Sequence, residues 1–104
     1  MLQLADILEA LTGIRPESAA IVVTEGVIDS RLAIPGALFV ALPGERTDGH
    51  QYVPQAFQNG ASLALVQQEM PESIPVLDLR GVVKRFELEN RLAEVEAPFC
   101  LRVD

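Results

Sequence analysis

ALFVALPGERTDGHQYVPQAFQNGASLALV, residues 37–66, decides how this chain folds. Residues 37–42 are a continuous apolar run, bracketed by Pro35-Gly36 and Pro43-Gly44, and read as a buried strand between turns. Asp48 is placed to cap a helix over about residues 50–59, with Tyr52, Val53, Ala56 and Phe57 as its apolar face. Pro54 fits such a helix only within its first turn, where the missing N–H has no intrahelical partner to lose. Asn59-Gly60 ends it, and residues 61–66 (ASLALV) read as the next strand. Strand, helix and strand at this length suit a right-handed crossover between parallel neighbours.

Working outward, Leu4, Ile7, Leu8 and Leu11 lie at helical spacing within residues 3–12, and Gly13 follows as a stop. Residues 20–24 (AIVVT) read as a β-branched strand broken by Gly26. Residues 75–79 read as a short strand and 98–103 as a final one. Residues 82–95 mix charges with Val82, Phe86, Leu92 and Val95, the pattern of a half-exposed helix. The expected fold is α/β: a small mixed sheet flanked by helices, with the strand–helix–strand unit at 37–66 at its centre. There is no repeat, low-complexity tract or long linker, so residues 1–104 are expected to form one domain.

Composition narrows the function. Apolar residues make up 49% of the chain, yet it holds only four Phe, one Tyr and no Trp. The core must therefore come from Ala, Leu, Val and Ile. A formal charge of −7 argues against nucleic acid or an anionic membrane as partner. A single cysteine, Cys100, excludes an internal disulfide and a multi-Cys zinc site, and its apolar surroundings suit a buried structural thiol. No segment reaches the roughly 18 apolar residues that a membrane span needs. The N-terminus lacks the basic start and apolar block of a signal peptide, so a cytoplasmic location is expected.

The chain has no GxSxG, CxxC or GxGxxG, and no GxxxxGK[ST] to cradle ATP phosphates. His50 is the only histidine, and with Glu45 and Asp48 it makes a thin metal hypothesis; a capping or hydrogen-bonding role suits it better. Glu17, Glu69 and Glu72 are scattered and read as solvated surface. Two polar clusters remain: Asp29-Ser30-Arg31, and Gly44 to His50 between a strand and a helix start. Loops beyond the carboxyl ends of strands are where α/β folds place ligands. Arg31 and Arg46 suit phosphate, while Ser30 and Thr47 suit a base or sugar. The plainer alternative is a turn ion pair at Asp29–Arg31 and a helix cap at Asp48.

DSRLAIPGALFVALPGERTDGHQYVPQAFQNGASLALV, residues 29–66, also resembles the N-terminal domain of the Mur ligases, ATP-dependent cytoplasmic enzymes of peptidoglycan precursor synthesis. The matching positions are Asp29, Ser30, Arg31, Pro35, Gly36, Leu38 to Leu42, Gly44, Asp48 to His50, Ala56, Gly60 and Ala61, and the likeness fades after about residue 70. The resemblance implies a domain that binds the UDP end of a UDP-N-acetylmuramoyl-peptide. It places the uridine and diphosphate contacts at Ile28, Ser30, Glu45, Arg46 and Thr47, with Arg31, Asp48 and His50 as phosphate contacts or loop support. It implies no catalytic residue here; ATP and Mg would sit in a central domain, and the incoming amino acid or dipeptide in a C-terminal domain, of the same parent chain, so this chain alone should not turn over ATP. The Gly44-Glu45-Arg46 form looks more like the D-alanyl-D-alanine-adding branch than the branch that adds the third amino acid. A stand-alone binding or regulatory module, or a structural docking domain, on the same fold is the other expectation.

Overall fold

The computed structural model describes residues 1–44 and 46–103. In chain order the elements are α1 (Leu4–Thr12), β1 (Gly26–Val27), a 3-10 turn (Ser30–Leu32), β2 (Leu38–Val40), a second 3-10 turn (Gly49–Tyr52), α2 (Val53–Gln58), β3 (Leu63–Val66), β4 (Val76–Asp78), α3 (Arg85–Leu92) and β5 (Phe99–Arg102). The five strands form one sheet in the order β1-β2-β3-β5-β4, and every pairing is parallel. β2 and β3 are adjacent and joined through α2, as the sequence of residues 37–66 requires. The α/β architecture is the expected one, but the mixed character is not. Among the described residues, antiparallel pairing is confined to an isolated bridge, Gln3–Val22, outside the sheet.

That bridge explains the strand expected at 20–24. The segment does not enter the sheet. Instead Ala19 and Ile21 present their carbonyls to the N–H groups of Ala5 and Leu4, at 3.1 and 2.8 Å, and Val23 N–H donates to Leu2 O at 2.9 Å. The first N–H groups of a helix lack partners within it, and here a neighbouring extended segment supplies them. Gly26, read as a break, is the first residue of the edge strand β1.

Side-chain alternation divides the sheet between two cores. Leu63, Leu77, Phe99 and Leu101 pack with Leu4 and Leu8 of α1 and Leu88 of α3. Phe39, Ala41, Ala64, Val66 and Cys100 face the other way, against Val53 and Ala56 of α2. The second core is rich in alanine, which lets a helix of only six residues approach the sheet closely. Pro54 falls in the first turn of α2, as its sequence position demands. Cys100 is buried in this core, and burial pushes its thiol up to about 12, away from any nucleophilic role. Gly60, at φ +108°, turns the chain from α2 into β3; a Cβ there would meet the Pro35 backbone at 2.9 Å.

Of the apolar face expected over residues 82–95, Val82, Leu92 and Val95 do pack against the core, but Phe86 does not, and Leu88 takes its place. Leu88 is fully buried, whereas Phe86 is 61% exposed and lies under the Lys84 ammonium at 5.9 Å. Leu88→Ala should therefore cost about 2–5 kcal/mol, and Phe86→Ala less than about 1 kcal/mol, as read from urea unfolding midpoints.

Candidate functional site

With all strands parallel, the segments that follow β1 and β2 leave the sheet at its carboxyl edge as neighbours. Between them lies an open cleft of about 580 Å³. Ile28 to Arg31 form one wall, Phe39 and Leu42 the floor, and Thr47, Gly49, Tyr52 and Gln55 the other wall. Its apolar part is unusually accessible: Ile28 is 68%, Leu42 48% and Tyr52 39% exposed.

The first wall is a tight turn. Asp29 Oδ1 accepts from the Arg31 N–H at 2.9 Å, and its carboxylate takes a forked ion pair from the Arg31 guanidinium at 3.0 and 2.7 Å. These bonds from Arg31 hold the Asp29 carboxyl well below its usual range, at about 2. The same arrangement closes the turn after β4, where Asp78 pairs with Arg80 and also sits near 2. That turn lies at the opposite edge of the sheet. An Asp-x-Arg turn thus recurs away from the cleft and is by itself no signature of a ligand. Arg31 lines the cleft with part of its donor set already engaged by Asp29. Ser30 is buried between them; its hydroxyl donates to Gln55 Oε1 at 2.7 Å, and its carbonyl accepts from Asn59 Nδ2 at 2.9 Å.

The second wall is clamped to the sheet. Asp48 Oδ1 accepts from the His50 N–H at 3.0 Å, so Asp48 is a cap as expected, but of the 3-10 turn Gly49–Tyr52; the helix expected over 50–59 is regular only from Val53 to Gln58. Gly49 N–H donates to Leu42 O at 2.9 Å, and a Cβ on Gly49 would lie 2.7 Å from Leu42 N. His50 is buried. The Gln67 N–H, just beyond β3, donates to His50 Nε2 at 3.0 Å. Nδ1 is therefore the protonated ring nitrogen, and it donates to Asp48 Oδ1 at 2.6 Å. Both ring nitrogens are engaged, so His50 offers nothing to a metal or a substrate; among the described residues no three His, Cys, Asp or Glu side chains group as metal ligands.

Of the residues expected at a ligand site, Ile28, Ser30, Arg31 and Thr47 line the cleft. Arg46 is exposed and is not among the lining residues. Glu45 lies outside the described residues. Asp48 and His50 stand behind the wall as supports. Sequence reasoning missed Phe39, Leu42, Gly49, Tyr52 and Gln55. Tyr52 and Gln55 share a signal that was available: they are three apart where the 3-10 turn runs into α2, and both line the cleft.

Two measurements check this geometry. The Asp29 carboxyl should titrate near 2, followed by its carbonyl carbon shift, and Arg31→Gln should return it toward 3.8. Because the charged form is favoured in the folded chain, the pair stabilises fully above about pH 4 and is lost as pH falls through about 2. His50→Ala strands the Gln67 N–H, removes the ring bond to Asp48 and leaves a cavity, and should lower stability by about 2–4 kcal/mol in urea.

The profile of the family described as "Mur ligase family, catalytic domain" matches residues 23–96. The UDP-N-acetylmuramoyl-L-alanyl-D-glutamate–2,6-diaminopimelate ligase of Listeria innocua is 43% identical over 63 residues, which cover 61% of this chain and 13% of that protein. The ligase of the same name from Vibrio cholerae is 41% identical over 83 residues, 77% of this chain and 17% of that protein. The UDP-N-acetylmuramyl-tripeptide synthetase of a Roseiflexus species is 43% identical over 68 residues, 64% of this chain and 12% of that protein. The chain thus spans between a tenth and a fifth of the length of these relatives. Among solved structures, MurF from Acinetobacter baumannii matches with a TM-score of 0.50 over 94% of this chain and 34% of that one; at 19% identity this is a likeness of fold.

Proposed function

As this chain belongs to the Mur ligase family, we propose that its cleft binds the UDP moiety of a UDP-N-acetylmuramoyl-peptide for an ATP-dependent ligase of peptidoglycan precursor synthesis. The observation that carries the reading is the cleft's division of labour. Ile28, Leu42 and Tyr52 offer accessible apolar surface beside Ser30, Arg31 and Thr47, which suits a planar base next to a charged diphosphate. The relatives named for UDP-N-acetylmuramoyl substrates add support.

In this reading residues 1–104 are the substrate-binding unit of a longer ligase, and the chemistry belongs to other parts of it. ATP and Mg do not fit the residues of this chain. It lacks the GxxxxGK[ST] loop, and its described side chains offer no cluster of metal ligands. What the domain contributes is binding energy remote from the reacting end, which holds that end in place.

The residue added by the parent ligase is a finer question. Relatives more than 40% identical are named for diaminopimelate addition or tripeptide synthesis. They favour the branch that adds the third residue of the stem peptide. The D-alanyl-D-alanine reading rests on the Gly44-Glu45-Arg46 form alone, since likeness to MurF at 19% identity speaks only of fold.

An amide-resolved NMR titration with UDP is expected to shift signals at residues 28–31 and in the described part of 44–50, and to leave β4 and α3 still. Millimolar UDP without shifts in either loop would remove the assignment.

A further inference from the structure

The bond between Ser30 and Gln55 has a chemical consequence for the cleft. A hydroxyl carries one hydrogen and two lone pairs. In this structure that hydrogen is given to Gln55 Oε1, at 2.7 Å. Ser30 is buried and further held by Asn59 through its carbonyl, so its side chain has little room to reorient. What it can offer the cleft is an acceptor. A phosphate oxygen, itself an acceptor, is repelled from that position, and a donor is drawn to it. The residues around it, Ile28 on the same wall and Tyr52 across the cleft, both exposed, provide apolar surface suited to a flat ring rather than to a sugar.

We infer that Gln55 is a positioning residue that fixes Ser30 as a hydrogen-bond acceptor, so that the cleft selects a base with an imide N–H, uracil, over one with a bare ring nitrogen at the same place, cytosine. The inference rests on the nucleotide-binding reading above and adds to it the residue that sets base choice. Gln55 is exposed in the first half of α2 and is not part of either core, so its variants are compared only after their amide spectra are found to be those of the folded chain. A hydrogen-bonding site that meets the wrong partner leaves buried polar groups unpaired, and such a mismatch is worth about tenfold or more in affinity.

The test is calorimetric titration of the chain with UDP and, separately, CDP. The unaltered chain should bind UDP at least about tenfold tighter than CDP. Gln55→Leu removes the acceptor for the Ser30 hydrogen, frees the hydroxyl to donate or accept, and should bring the ratio toward one. Gln55→Glu keeps an acceptor oxygen in place and should restore the preference for UDP. Binding of UDP with a ratio that Gln55→Leu leaves unchanged, or equal binding of UDP and CDP by the unaltered chain, would overturn the inference while leaving nucleotide binding intact. Absence of binding by either nucleotide, in a chain whose amide spectrum is folded, would overturn both.

Discussion

The cleft depends on one buried imidazole. His50 sits at the start of the second wall and reaches two places at once: Asp48, which caps its own turn, and the N–H of Gln67, beyond the end of β3. Parallel neighbours such as β2 and β3 need a crossover, and crossover loops are normally the mobile part of an α/β sheet. Here the loop is tied at its base to Leu42, just beyond β2, through Gly49 and to Gln67, just beyond β3, through His50. The short α2 that follows could not hold itself; six residues are well under the length at which an isolated helix persists. It is held by the alanine-lined face of the sheet and by the clamp in front of it. A histidine that first suggests chemistry or a metal is, by its two bonds, a strut.

The same economy governs the rest of the fold. With few aromatic residues, the chain fills two thin cores rather than one thick one. Strand alternation sends leucines toward α1 and α3, and alanines and valines toward α2. Small side chains on the α2 face bring helix and sheet close, which draws Tyr52 and Gln55 over the carboxyl edge. The edge strand β1, only two residues long, carries Asp29-Ser30-Arg31 alongside them. Two loops distant in sequence then face each other because both strands run the same way.

Much of this was legible in the residues. The unit 37–66, the Asp48 cap, the place of Pro54, the stop at Gly13 and the inertness of Cys100 follow from local pattern and turn chemistry. The failures share a cause. Residues 20–24 have a strand's composition, but their partner is the entry to α1, twenty residues back, and pairing over that range leaves no local mark. Phe86 and Leu88 both suit a helix face, and only the position of β4 and β5 decides which is buried. Tyr52 belongs by spacing to the apolar face of the helix with Val53, Ala56 and Phe57; the cleft keeps it accessible. Asp29-Ser30-Arg31 was legible as a turn and as a site, and it is a turn in the same sense as Asp78-Leu79-Arg80. What sets it apart is the cleft it shares with Thr47, Tyr52 and Gln55, which no spacing rule connects to it.

The central claim is that this cleft, prebuilt by the His50 clamp, is a nucleotide-diphosphate site. A crystal structure of the chain grown with UDP tests it most directly. The account predicts the uracil ring between Ile28 and Tyr52 with its imide N–H on Ser30 Oγ, the diphosphate toward Arg31 and Thr47, and the His50 bonds to Asp48 and Gln67 unchanged. UDP seated elsewhere, or reached only by breaking the His50 clamp, would contradict it.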